Sequence, residues 1–143
     1  MNSLLYHEIF ELFNKTEKRA DKINILRIHG DNNLREFLIA AFNPNVVFDV
    51  EISEYKSAVE PEGLNILYLH NEVQRLYRFI VGHPRRPPGL TSTKQKGLLT
   101  MLLESLHKSE AELLIRCIKK DLHIPFLTPK LIKEAFPGID LGV

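Results

Sequence analysis

Asp31-Asn32-Asn33-Leu34-Arg35-Glu36-Phe37-Leu38-Ile39-Ala40-Ala41-Phe42-Asn43-Pro44-Asn45 is the stretch that decides the fold class. Leu34, Phe37, Leu38, Ala41 and Phe42 recur at the spacing that places them on one stripe of an α-helix. Asn32 or Asn33 is positioned to cap its start. Its end is forced, because Pro44 disfavours helical backbone at Asn43 and has no N–H to donate. An amphipathic helix needs other elements to cover its apolar stripe, and the same period recurs on both sides of it.

Upstream, Leu5, Ile9, Leu12 and Phe13 form a helical face with Ser3 as its cap. A second helix carries Ala20, Ile23 and Leu26, with Thr16 as its cap and Gly30 as the left-handed residue that ends it. Downstream, Val46-Val47-Phe48-Asp49-Val50 is β-branched and aromatic, yet no segment of similar pattern is present to pair with it, so it reads as extended coil. Leu69, Val73, Leu76, Tyr77 and Ile80 give a fourth helical face, ended by Gly82 and the proline-rich loop His83-Pro84-Arg85-Arg86-Pro87-Pro88-Gly89. Thr91, Ser92 or Thr93 caps the next helix, whose stripe is Leu99, Leu102, Leu103 and Leu106, with His107 and Lys108 at its C-terminal end. Ser109-Glu110-Ala111-Glu112 reads as a capping box that opens a helix bearing Leu114, Cys117 and Ile118, antiparallel to the one before. Thr128 and Pro129 start a last helix with Leu131, Ile132, Ala135 and Phe136, closed by Pro137-Gly138. The expectation is an all-α fold, a compact multi-helix bundle of roughly seven helices with a proline-rich basic loop, and one helical domain over residues 1–143.

The 44% apolar and 26% charged composition is that of a globular chain. No apolar run approaches the length of a membrane span, and the start lacks the basic and apolar regions of a secretory signal. No membrane association is expected, and a cytoplasmic location is, in the host cell cytoplasm if the chain is phage-encoded. Cys117 has no partner for an internal disulfide and lies at helical spacing among Leu113, Leu114 and Ile118, so it reads as a buried reduced thiol. The six histidines show no ligand spacing, no phosphate-cradling glycine loop is present, and no serine sits in a nucleophile turn. Neither metal, cofactor nor catalytic residues are expected, and the chain reads as a non-enzyme.

Charge is unevenly distributed. No Asp or Glu occurs from Val73 to Leu103, where Arg75, Arg78, Arg85, Arg86, Lys94 and Lys96 fall, while Asp49, Glu51, Glu54, Glu60 and Glu62 precede them against Lys56 alone. Cations that neutralise backbone phosphates supply sequence-independent DNA affinity, and Arg85 and Arg86 stand in a proline-stiffened loop with Lys94 and Lys96 near a helix start. Solvation of a helix face and a loop is the plain alternative.

Two segments carry a family resemblance. Asp31 through Phe48, with its aromatic-Asn-Pro break, and Glu112-Leu113-Leu114-Ile115-Arg116-Cys117-Ile118-Lys119-Lys120-Asp121-Leu122-His123-Ile124 through Ala135-Phe136-Pro137-Gly138 resemble the helical N-terminal DNA-binding domain of phage-type ATP-dependent DNA ligases. The chain also looks like small helical proteins of large tailed phages. Pro125-Phe126 stands where the ligases commonly have a glycine near the duplex, and the Lys-x-Asp-Gly motif of the nucleotidyltransferase domain is missing. The resemblance therefore implies a stand-alone, non-catalytic double-stranded DNA-binding module, an accessory in phage replication, repair or packaging. Arg85, Arg86, Lys94, Lys96, Lys119 and Lys120 are the candidate phosphate contacts. The competing expectation is a protein-interaction adaptor or inhibitor on the same scaffold, meeting phage or host replication or transcription proteins through Phe126, Leu127, Ile139 and Leu141.

Overall fold

The computed structural model describes residues 4–61 and 64–142. Among them are seven α-helices: α1 (Tyr6–Lys15), α2 (Arg19–His29), α3 (Asn32–Phe42), α4 (Leu69–Glu72), α5 (Ser92–Ser105), α6 (Lys108–Ile118) and α7 (Pro129–Ala135). α3 and α6 lie at the centre and pack on one another. α6 also meets α1, α4 and α5, while α2 ties α1 to α7. The core between them includes the fully buried Phe13, Phe37, Phe79, Leu38, Leu99, Leu114 and Ile132. No helix among the described residues is long and apolar enough to cross a membrane.

The helix periods are as the sequence reads, but several ends and faces are set by different residues. α1 buries Tyr6, Ile9, Phe10 and Phe13, whereas Leu12 is 39% exposed. Rotating the stripe onto three aromatic rings removes more apolar surface from water than the expected leucine would. Its first turn is closed by the Leu5 N–H donating to the Glu8 carboxylate at 2.8 Å; Ser3, the expected cap, lies outside the described residues. Thr16 does not cap α2. Its hydroxyl turns back to donate to the Leu12 carbonyl at 2.9 Å, ending α1 instead. The residue that precedes α2 is therefore Lys18, which offers its amides no side-chain acceptor. Ala20 is exposed, and the buried positions of α2 are Lys22 and Leu26.

Gly30 ends α2 with φ −78°, not in the left-handed region. Glycine is required there for space: a Cβ would fall 2.5 Å from the Phe136 ring and 2.3 Å from the Leu26 carbonyl. α3 is capped by Asp31, whose carboxylate accepts the Leu34 N–H at 2.8 Å, and not by Asn32 or Asn33. The Asn33 amide instead donates to the His70 carbonyl at 2.8 Å and accepts from Gln74, fixing α4 against α3.

The fourth helical face splits. After one α turn it tightens into a 3₁₀ segment, Val73–Phe79, which buries Val73, Leu76 and Phe79 at a spacing of three. Ile80 leaves the helix and forms an antiparallel bridge with Phe48, flanked by the Asp49 N–H to the Phe79 carbonyl at 3.0 Å and the Val81 N–H to the Val47 carbonyl at 2.8 Å. The β-prone stretch after Pro44 thus has a partner after all. It is the end of a helical segment, which no strand pattern would reveal.

Thr91 caps α5, accepting the Lys94 N–H at 3.2 Å. His107 belongs to the next helix, not to the end of α5: its Nδ1 accepts the Ser109 N–H at 3.2 Å and caps α6. The capping box at Ser109 is therefore absent. Glu110, fully buried, uses its carboxylate to accept the Leu69 N–H at 3.0 Å, holding the start of α4. Thr128 and Pro129 open α7 as the sequence indicates.

Candidate functional site

Six cations were the candidate phosphate contacts, and the fold divides them. Arg86 lies with its side chain 19% exposed, its guanidinium 2.9 Å from the Asp49 carboxylate and donating to the Ile80 carbonyl at 3.2 Å. Lys96 pairs with Glu51 at 3.6 Å. Two carboxylates of the acidic segment thus fold back onto two cations of the basic one. Arg85 lays its guanidinium over the Tyr77 ring at 4.7 Å, and its N–H donates to His83 Nδ1 at 3.1 Å. Lys94 and Lys119 are exposed.

Lys120 is committed to the fold. α6 ends in a Schellman motif, with the Lys120 N–H on the Cys117 carbonyl at 3.0 Å and the Asp121 N–H on the Arg116 carbonyl at 2.9 Å. That motif needs a left-handed residue, and Lys120 supplies it with φ 62° where glycine is usual. Its side chain explains the choice. The ammonium donates to the Ala40 carbonyl and, at 2.9 Å, to the Asn43 carbonyl, and sits 5.6 Å from the centre of the Phe48 ring. It thereby satisfies the orphan Ala40 carbonyl at the end of α3 and joins the Val46 N–H on that of Asn43. Desolvation holds its pKa below the ordinary 10.5. Lys120 is a clamp between two helix ends and not a phosphate contact.

His123 and Phe126 follow with φ 55° and 67°, so three non-glycine residues at intervals of three are left-handed in one turn of chain. Sparsely populated backbone held in this way marks segments that the surrounding structure over-determines. The loop is pinned by Leu122 and Leu127, both buried. Of the four candidate partner-binding residues only Phe126 is presented, at 72% exposure. Leu127 and Leu141 are in the core and Ile139 packs half-buried against it. The C-terminal peptide is no loose docking motif, because the Asn43 amide donates to the Asp140 carbonyl at 3.3 Å and Leu141 fills an apolar site beside it.

Beside Phe126 is a cavity of about 350 Å³ lined by Glu17, Arg19, Lys22, Thr128 and Leu131 as well as the ring itself. Lys22 is only 6% exposed. Its Nζ donates to the Phe13 carbonyl at 2.7 Å and lies 4.6 Å from the Phe13 ring centre and 5.4 Å from that of Phe126. Sequence reading missed this residue. The available signal was a lysine four positions before Leu26, on the stripe that α2 turns inward.

Cys117 is fully buried, and burial pushes its thiol up to about 12. It is an inert core group in the folded protein. Among the described residues no three His, Cys, Asp or Glu side chains converge in a way that could hold a metal ion.

No curated protein and no solved structure matches the chain. One family model does, over residues 9–124, from within α1 to the turn after α6. That span takes in Lys22 and all six candidate phosphate contacts and stops two residues before Phe126. Since it covers well over half of the 143 residues, the chain belongs to DUF6433, a family of unknown function.

Proposed function

We propose that the protein is a non-catalytic interaction module that docks a partner protein through the face around Phe126. One observation carries the reading: a phenylalanine 72% exposed and held in left-handed backbone between buried anchors. That conformation costs about 1–2 kcal/mol for a residue with a Cβ. Leaving the ring in water forgoes roughly 1.5–3 kcal/mol of burial. Ile28 and Ile66 are equally exposed, but Phe126 alone among these three joins an aromatic ring to a left-handed backbone, which suits it to anchor a protein interface. Phe126→Asp, at an exposed site, is expected to leave the unfolding midpoint unchanged and to abolish capture of companion proteins from nuclease-treated lysate of the producing cells. Equal capture by the variant would refute the reading.

The exposed Arg85, Lys94 and Lys119 favour a second reading, the double-stranded DNA-binding accessory of replication, repair or packaging that the ligase resemblance implies. On that reading a shift of duplex DNA is expected at micromolar protein and about 50 mM salt. Arg85→Glu with Lys94→Glu should weaken it on all sequences alike. Absence of any complex under these conditions would remove this reading and leave the first.

A further inference from the structure

We infer that the cavity between the first turn of α2 and the entry to α7 receives a carboxylate of the partner protein, carried on a segment where an acidic residue adjoins an apolar one. This rests on the reading of the Phe126 face as a docking surface and assigns the chemistry of what docks there. Three independent observations converge on the cavity. The first is Lys22, a cation more than nine-tenths buried that makes no ion pair among the described residues. Among the described residues the Phe13 carbonyl is the one hydrogen-bond acceptor its ammonium reaches, and beyond it the group meets the Phe13 and Phe126 rings, so part of its three-donor capacity is left for an anion. Glu17 lines the same cavity without reaching ion-pair distance of it. Buried charges are ordinarily paired, and this one faces a space large enough to hold the missing counter-charge.

The second observation is the unfulfilled start of α2. Thr16 is turned away to α1 and Lys18 supplies no side-chain acceptor, so an eleven-residue helix whose first-turn acid is Asp21 starts without a side-chain cap at the end where Arg19 and Lys22 line the cavity. The amides of a helix start and the helix dipole favour an anion. Arg19 adds no unpaired charge of its own, since it is bound to Glu134 of α7 and braces the far wall.

The third is the Phe126 ring, whose near face is occupied by the Lys22 ammonium and whose remainder is open. An apolar side chain can cover that ring only from outside, while the adjoining carboxylate reaches inward to Lys22. The two requirements together specify an acidic-apolar pair and exclude a purely basic or purely apolar segment. Inorganic anions satisfy the first but leave Phe126 in water.

The decisive measurement uses the full chain, labelled with nitrogen-15, titrated with capped hexapeptides Gly-Ser-Glu-Phe-Ser-Gly, Gly-Ser-Gln-Phe-Ser-Gly and Gly-Ser-Lys-Phe-Ser-Gly. The Glu-Phe peptide is expected to give saturable amide shifts at residues 17–22 and 126–131. The Gln-Phe peptide should bind at least about tenfold more weakly, the scale of one charge-assisted contact, and the Lys-Phe peptide not at all. Lys22→Met should level the Glu-Phe and Gln-Phe peptides, and Phe126→Ala, which leaves the core intact, should weaken both. Equal binding of the Glu and Gln peptides to the native chain, or shifts confined to another face, overturns the inference. If the Glu-Phe peptide fails while Phe126→Asp still abolishes capture of cellular companions, the assigned chemistry is wrong and the docking face stands. If both fail, the docking face falls with it.

Discussion

Lys120 occupies a position where backbone and side chain make opposite demands, and separating them gives a quantitative test. The left-handed backbone asks for glycine, which would relieve about 1 kcal/mol of Cβ strain. The end of α3 asks for the ammonium, which donates to the Ala40 and Asn43 carbonyls and packs on Phe48. A hydrogen bond from a charged donor is worth about 1.5–3 kcal/mol when buried. The half-buried setting here places each near 1 kcal/mol, and the aromatic contact adds roughly 0.5 kcal/mol. Lys120→Met keeps the strain and loses the clamp, a cost of about 2–3 kcal/mol. Lys120→Gly loses the clamp and the strain together, a cost of about 1–2 kcal/mol. With a urea dependence of about 2 kcal/mol per molar, the methionine variant should unfold about 1–1.5 M earlier than the native chain, with glycine between them. Methionine equal to or more stable than glycine, or both within about 0.5 kcal/mol of native, would refute the assignment of Lys120 as a clamp.

Three further outcomes follow from the same geometry. Since His107 and not Ser109 caps α6, His107→Ala should cost about 1 kcal/mol in urea unfolding and Ser109→Ala less than about 0.5 kcal/mol. Gly30→Ala forces a methyl group onto the Phe136 ring and should lower stability by roughly 1–3 kcal/mol, with Phe136→Leu in the same chain recovering part of the loss. The Cys117 thiol stays protonated in the fold toward about 12, against an ordinary 9.0. The unfolded chain therefore ionises first, and the group's stabilisation, complete below pH 9, drains away as pH rises above it. The stability gap between native and Cys117→Ala should accordingly shrink by about 1.4 kcal/mol on going from pH 8 to pH 10, and an unchanged gap would show the thiol to be accessible to ionisation in the fold.

Helix positions were legible in the sequence because the apolar period survives local irregularity, as Leu34, Phe37, Leu38 and Ala41 show. Helix ends were less so. Thr16, Asn33 and Ser109 are all good capping residues by type, yet each was outcompeted nearby: Thr16 by its own bond to Leu12, Asn33 by Asp31, and Ser109 by His107. A cap is chosen by which acceptor reaches the amides, and tertiary contacts decide that. The site was legible only in part. Phe126 was legible as an apolar residue in a short loop, but its neighbour Leu127 is buried because three left-handed residues turn the loop, which residue type alone does not announce. The cationic candidates were named from a local count of charges. Their pairing with Asp49 and Glu51 depends on contacts made far along the chain.

Those long-range pairs have a bearing on how the chain reaches its fold. Asp49 meets Arg86 across 37 residues, and Glu51 meets Lys96 across 45, the difference of their numbers. Bringing together the ends of a loop of that length costs roughly 3 kcal/mol of chain entropy. Two blocks of opposite sign, each charged before any helix forms, attract one another in the unfolded chain and offset part of that cost early. Because the attraction acts across solvent, with a Debye length of about 8 Å at physiological ionic strength, added salt should slow refolding more than it speeds unfolding. Stopped-flow refolding rates that are indifferent to sodium chloride would contradict this. On this account Asp49 and Glu51 guide the early collapse of the chain, and the pairs they make with Arg86 and Lys96 persist once the bundle has closed.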